Sequence, residues 1–155
     1  MNPINDLDNI VNDYIFKGYT SEWIELYITK HYKQYNNDQI VESIARISQH
    51  EFRNQLIERD KVCLISGFDP IECEAAHIIP YSECKSYENS NGILLNRCLH
   101  KLFDLHMFSI NPLTLKVEIR RRITKLSICK YVGKVIAIPK ECIDSLKRHY
   151  ERFVS

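Results

Sequence analysis

The segment from residue 75 to residue 104, AAHIIPYSECKSYENSNGILLNRCLHKLFD, constrains the fold of this chain more than any other feature. Two short apolar runs flank a polar loop, and an Asn-Gly turn dipeptide opens the second run. This pattern predicts a strand, a long loop, a second strand and a helix. Asn96 is a good N-cap for that helix. The apolar face of the helix would comprise Leu99, Leu102 and Phe103.

Four polar side chains of this segment suit the hydrolysis of a phosphodiester bond. His77 ends the first strand and is a candidate general base, because an imidazole titrates near neutral pH. His100 and Asp104 are four residues apart on the predicted helix, so their side chains share one face and could bind one divalent metal ion. The side-chain amide of Asn91 could bond to backbone across the loop and fix the strand that carries His77.

The order His77, Asn91, His100 resembles the HNH nuclease motif, which folds as a ββα-metal finger. The opening Ala-Ala-His-Ile-x-Pro is similar to a branch of that family that is often attached to restriction modules. The intervals of 14 and 9 residues between the three motif positions are also similar to those in the HNH domain of RNA-guided nucleases. The resemblance extends from about residue 52 to about residue 153.

The resemblance implies a role for each motif residue. His77 would be the general base, Asn91 would support the loop and the base, and His100 would be a metal ligand. Colicin-type nucleases carry a further ligand one turn after the last motif histidine, and Asp104 occupies that position. Many HNH enzymes place an Asp or His ligand directly before the base, whereas this chain has Ala76, which cannot bind metal.

Other residues near the motif are weaker candidates. Glu72 and Glu74 flank the first strand, and one of them could reach the metal in place of the residue missing at Ala76, although this is not the favoured interpretation. His106 lies just past the helix, where a glycine would be comfortable, and is favoured as an exposed or loop histidine rather than as a ligand. The remaining histidines are predicted to be on helix surfaces or partly buried: His31, His50 and His149.

The charge of the chain is unevenly distributed around a net charge of +1. Residues 1–50 carry seven acidic and four basic side chains, whereas residues 115–134 carry seven basic side chains and one acidic. A local basic excess suits a phosphate backbone, although a solvated strand edge gives the same pattern. The candidate DNA-binding residues are Arg97, Lys101, Arg120, Arg121 and Arg122.

The apolar periodicity predicts N-terminal helices, short strands and a C-terminal helix, and the resemblance implies a ββα-metal (HNH) finger among these elements. The expected fold is therefore α+β, with N-terminal helices, a small antiparallel sheet that includes the finger, and a C-terminal helix. Residues 1–50 are predicted to form a helical region and residues 51–155 the HNH nuclease domain. In the first region a helix over about residues 7–15 precedes one capped by Ser21, a third from about residue 40 and a fourth over about residues 50–59. Residues 107–112, 115–120 and 133–139 are strand-like, and Pro139 suits the first position of the last helix.

Six cysteines occur without any Cys-x-x-Cys pair, so they favour small core hydrophobes in a reducing compartment over structural zinc ligands or disulfides. The polar, acidic N-terminus is not typical of a secretory signal, and no run approaches the roughly 18 apolar residues of a membrane span. The sequence therefore predicts an intracellular protein, cytoplasmic or nuclear.

These features together favour a metal-dependent HNH endonuclease that acts on DNA. One divalent metal ion is expected, magnesium or manganese, with zinc as an alternative. A second hypothesis is a DNA-binding module whose finger holds a structural metal and does not cleave. A third is a helical interaction protein whose N-terminal half recruits a partner. The sequence leaves open a homodimer that would cut both strands.

Overall fold

A computed structural model describes residues 3–155 of the chain, with side chains from residue 6 onward. The chain divides into two compact units, Met1–Glu51 and Phe52–Ser155. The described part of the first unit is helical. The second combines helices with two antiparallel two-stranded sheets, which confirms the predicted α+β class.

The first unit contains helices α1 (Pro3–Phe16) and α2 (Ser21–His31), and helix α3 (Asn37–Asp60) begins in it. The cap of α2 is Thr20, whose hydroxyl accepts a hydrogen bond from the Trp23 amide at 3.2 Å, so the predicted cap at Ser21 is wrong by one residue. Apolar side chains at helical spacing form the core of this unit. They are Leu7, Val11, Ile24, Ile28, Ile40 and Ile44.

Helix α3 runs without interruption from Asn37 to Asp60, so the prediction of two separate helices there is wrong. The polar stretch near residue 50 contains neither glycine nor proline, and polar residues alone do not end a helix. The residues of α3 from Phe52 onward belong to the second unit.

The predicted order of strand, loop, strand and helix is confirmed. Strand β1 (Cys73–His77) pairs antiparallel with β2 (Gly92–Asn96), and helix α5 (Arg97–Asp104) follows directly. The loop between the strands contains the short helix α4 (Tyr81–Cys84) and a 3-10 turn over Asn89–Asn91.

Residues of β2 fix both ends of this motif. Asn96 caps α5, since its side-chain oxygen accepts a hydrogen bond from the Leu99 amide at 2.9 Å. At the other end of the strand, Gly92 lies opposite His77, and the ring of Phe52 packs directly over its backbone. Every residue of β2 is buried, so this strand is the centre of the motif.

The remainder of the second unit contains β3 (Phe108–Ile110), β4 (Val117–Ile119) and α6 (Ile143–Val154). Strands β3 and β4 pair antiparallel. The prediction of a strand at residues 133–139 is wrong, because this segment makes one isolated bridge, between Lys116 and Val135. The Ile138 amide bonds to the Ile136 carbonyl at 2.9 Å, and this local turn takes the backbone out of the ladder. A 3-10 turn over Lys140–Cys142 leads into α6.

All six cysteines are free thiols. Cys63, Cys73 and Cys142 are buried, as expected of small core hydrophobes, whereas Cys98 is exposed. Among residues 3–155, no helix has the length and apolar character needed to cross a bilayer.

Candidate active site

Asn91 joins the two ends of the loop between β1 and β2. Its side-chain oxygen accepts a hydrogen bond from the Ile79 amide at 2.8 Å, and its side-chain nitrogen donates to the Ile79 carbonyl at 2.9 Å. Its backbone carbonyl accepts from the Ile78 amide at 3.0 Å. Asn91 is 4% exposed, so these bonds form in a buried setting and hold the backbone that follows His77.

Arg59, at the end of α3, holds the turn that carries Asn91. Its guanidinium donates hydrogen bonds to the carbonyls of Asn89 at 2.6 Å and Gly92 at 2.7 Å. It also pairs with Asp60 at 2.7 Å. Sequence reasoning missed this residue, because an Arg-Asp pair at the end of an amphipathic helix has no local feature that distinguishes it from a solvated pair.

One nitrogen of the His77 imidazole, Nε2, is buried and has no hydrogen-bond partner among the described residues. The backbone of Ser86 lies near the same ring. Burial and the nearby His100 lower the pKa of His77, and Asp104 and the Ser86 backbone offset this only in part. The neutral imidazole, whose free ring nitrogen can accept a proton, is therefore the favoured form of His77.

Aromatic side chains surround the His77 ring. It stacks on Phe52, with ring centroids 4.5 Å apart, and lies 5.6 Å from Tyr87 and 5.8 Å from Tyr81. Burial and the neighbouring Tyr81 raise the pKa of Tyr87 to about 12, so this phenol stays neutral. These rings stabilise one orientation of the imidazole and shield Nε2 from solvent.

The side chains of His100 and Asp104 meet on one face of α5. His100 Nε2 lies 3.2 Å from Asp104 Oδ2, which agrees with the spacing of four residues. Two ligands of one octahedral ion, each about 2.1 Å from it, are separated by about 3 Å. One imidazole nitrogen and one carboxylate oxygen at this separation fit a divalent metal ion, and the Asp104 side chain is 57% exposed.

Glu74 contacts the other nitrogen of the same imidazole. Its Oε2 lies 2.7 Å from His100 Nδ1. Burial by itself would lower the pKa of His100, but Asp104 and Glu74 together raise it above its ordinary value. Glu72 is exposed and makes no such contact. Within the described part of the chain, no three His, Cys, Asp or Glu side chains are arranged to hold one metal ion. The protein ligands that fit a metal ion are therefore limited to the pair His100 and Asp104.

Two further histidines pack behind α5. His149 is 3% exposed, so the prediction of a surface or partly buried residue is wrong. Its Nδ1 bonds with the Ser109 hydroxyl at 2.8 Å and its Nε2 with the Phe103 carbonyl at 2.9 Å. His106 is a loop residue with a φ of 53°, which agrees with a position suited to glycine, and its ring stacks on His149 at 4.4 Å.

The candidate DNA-binding side chains differ in availability. Arg97 is 71% exposed and lies 3.6 Å from Glu74, beside the His100–Asp104 pair. Arg120 is engaged by a hydrogen bond from its Nε to the His106 carbonyl at 2.7 Å. The other three are exposed: Lys101, Arg121 and Arg122.

Residues 63–111 match the HNH endonuclease family. The matched segment contains the proposed residues His77, Asn91, His100 and Asp104, so the resemblance to this family is confirmed over residues 63–111. The Ala-Ala-His-Ile-x-Pro branch stays a prediction. No curated protein matches the chain.

Proposed function

We propose that this chain is a metal-dependent endonuclease that hydrolyses phosphodiester bonds of DNA. The observation that carries the proposal is the His77 imidazole, whose Nε2 is buried without a hydrogen-bond partner near His100 and Asp104 and whose pKa is lowered by burial. A buried side-chain nitrogen ordinarily has a hydrogen-bond partner. The HNH endonuclease match of residues 63–111 supports the same proposal.

His77 acts as the general base. Its Nε2 takes a proton from the attacking water, and the nearby Asp104 carboxylate and Ser86 backbone stabilise the positive charge that forms on the ring. Asn91 keeps this imidazole in place by holding the backbone of Ile78 and Ile79. The aromatic side chains of Tyr81 and Tyr87 lie close to the His77 ring. They must move when the substrate binds so that water can reach Nε2.

His100 and Asp104 would hold the metal ion, magnesium or manganese, with zinc as the alternative. When bound, the ion stabilises negative charge on the phosphate and on the leaving oxygen. The resemblance implies products with 5′-phosphate and 3′-hydroxyl ends. Arg97 and Lys101 are on the same helix, and with the exposed Arg121 and Arg122 they would contact DNA phosphates.

The test is cleavage of supercoiled plasmid by the full chain with Mg²⁺ or Mn²⁺, and again with EDTA. We expect nicked or linear product only with metal, and a rate about 10²- to 10⁴-fold lower for His77→Ala. The matched control is His31→Ala, which removes an exposed histidine from the first unit and should cleave as the unmodified protein does. The second variant, His77→Gln, retains more of the packing on Phe52 and therefore distinguishes loss of the base from a folding defect.

Two results would overturn the proposal. One is undiminished cleavage by both His77 variants in preparations free of other nucleases. The other is retarded migration of DNA on a gel without cleavage under any metal, which would favour the DNA-binding module with a structural metal finger.

A further inference from the structure

We infer that Glu74 is a positioning residue for the metal pair, holding the imidazole of His100 by Nδ1 so that Nε2 faces Asp104. The inference rests on the proposed function and deepens it. The contact that carries it is the 2.7 Å separation between Glu74 Oε2 and His100 Nδ1, which joins β1 to α5 across 26 residues of sequence.

The fold brings the two residues together through the geometry of β1. Side chains alternate along a strand, so Glu74 and Ala76 point to the same face of the β1–β2 hairpin. Ala76 is completely buried and belongs to the same apolar cluster as Leu99 of α5. The face that carries Glu74 is therefore the face that α5 covers, and Glu74 meets His100 at the open edge of this packing, where its side chain is 46% exposed.

The two carboxylates have different roles because they lie on different ring nitrogens. Asp104 is beside Nε2, at 3.2 Å, and Glu74 is beside Nδ1, at 2.7 Å. The lone pairs of the two nitrogens of an imidazole point in widely different directions, so an ion bound to Nε2 and Asp104 is out of reach of Glu74. With Glu74 as acceptor, Nδ1 carries the proton and the Nε2 lone pair is directed to the metal side.

This arrangement accounts for the absence of a ligand at position 76. An Asp or His there would add a direct ligand, whereas Ala76 leaves two protein ligands. The negative charge of Glu74 acts through the imidazole instead, because a carboxylate bonded to Nδ1–H makes Nε2 a more basic ligand. Arg97 lies 3.6 Å from the second oxygen of Glu74 and favours the same orientation of the carboxylate.

The test is the binding of Mn²⁺ to the full chain, measured by isothermal titration calorimetry without DNA. We expect Glu74→Ala to raise the Kd for Mn²⁺ by about 10- to 100-fold. Glu74→Gln should give an intermediate value, since its amide oxygen can still accept the Nδ1–H bond but lacks the charge. Glu72→Gln is the matched control: it removes the same charge from an exposed site two residues away and should bind Mn²⁺ like the unmodified chain.

The outcomes separate this inference from the proposed function. His100→Ala should abolish Mn²⁺ binding. If it does and Glu74→Ala binds normally, the inference is overturned while the metal site stands. If Glu74→Ala abolishes binding as completely as His100→Ala, Glu74 is a direct ligand and the inference is also overturned. If the unmodified chain binds no Mn²⁺ and cleaves no DNA, the proposed function fails with it. A urea midpoint within error of the unmodified chain shows that each variant is folded.

Discussion

The turn side of the candidate site and its helix side are built in opposite ways. The turn side comprises His77, the segment Asn89–Gly92 and Arg59, which binds that segment. The helix side comprises Glu74, Arg97, His100 and Asp104. Hydrogen bonds to backbone hold the turn side, whose residues are buried or half-buried, and Asn91 is 4% exposed. The helix side is held by contacts between side chains, and the Asp104 carboxylate is more than half exposed.

The contrast separates two kinds of functional residue. On the turn side, the hydrogen bonds that position the proposed base also stabilise the fold, so a substitution that removes them should reduce stability and activity together. On the helix side, the contacts form among partly exposed side chains, where an ion pair contributes little to folding. Substitutions there should alter metal binding and leave the fold intact.

The largest expected change in stability is on the turn side, from Arg59→Met. The substitution removes the bonds to the Asn89 and Gly92 carbonyls and leaves the buried Asp60 carboxylate without its ion-pair partner, at a cost of about 3–5 kcal/mol in the free energy of unfolding. The measurement is hydrogen exchange of the β2 amides in increasing urea, because the single tryptophan, Trp23, is in the first unit.

Arg97→Met is the matched control for that comparison, since it removes an exposed arginine from the helix side. It should cost about 0–1 kcal/mol. Equal losses for the two variants would contradict the division between the two sides.

The packing of His149 behind helix α5 should make the stability of the second unit sensitive to acid. Burial lowers the pKa of His149 to about 4, against 6.5 for the free side chain, and the bond to the Phe103 backbone offsets this only in part. Between these values the unfolded chain binds a proton that the folded chain does not, so stability falls as the pH falls from 6.5 to 4, by about 3 kcal/mol in all.

The urea midpoint of the second unit measured at several pH values checks this expectation. His149→Phe keeps the stacking on Phe103 and should flatten the pH dependence below 6.5, although it lowers stability at pH 7 by leaving Ser109 without its partner. The control, His31→Asn, should keep the slope of the unmodified chain. An unchanged slope in His149→Phe would mean that other groups cause the acid sensitivity.

Asn91→Ala and His100→Ala test the two sides directly. Asn91→Ala leaves the Ile79 amide and carbonyl unsatisfied and should cost about 1–3 kcal/mol of stability, with loss of cleavage and little change in the Kd for Mn²⁺. His100→Ala should lose Mn²⁺ binding and keep its stability within about 1 kcal/mol. Calorimetry and urea denaturation on both variants give the comparison, and a reversal of the two results would refute it.

The smallest effect is expected from Arg121→Gln and Arg122→Gln, which are outside both sides. Each should weaken DNA binding for all sequences alike and reduce the slope of log K against log salt by about 1. Lys30→Gln, in the acidic first unit, is the control and should leave the slope unchanged. The readout is fluorescence anisotropy of a labelled duplex in EDTA at several salt concentrations.

The features predicted from sequence are those that depend on short-range geometry. The pairing of His100 with Asp104 follows from a spacing of four on a helix, and the cap at Asn96 follows from residue type. The alternation of apolar runs and turn residues located the strands of the motif. The role of Asn91 in bonding the loop backbone followed from the family resemblance and from its place beside the second strand.

The features that sequence reasoning missed depend on contacts between distant elements. Glu74 and His100 are 26 residues apart, and His149 meets Phe103 across 46. No periodicity in either segment indicates which residue of the other it will meet. The errors in secondary structure also have tertiary causes: residues 133–139 form a single isolated bridge, to Lys116 just before β4, so an apolar run with strand propensity does not extend the sheet.

The β1–β2 hairpin leaves no space for a side chain at Gly92, the residue opposite His77. An Asn-Gly pair suggests a turn, yet Gly92 is extended, with a φ of −148°, and the turn precedes it. A methyl group at this position would lie 2.2 Å from the tip of the Phe52 ring and 2.8 Å from Leu56 Cδ1. The His77 imidazole stacks on the same Phe52 ring. An added carbon would therefore force the Phe52 ring to shift, and this ring sets the position of the His77 imidazole, the proposed general base.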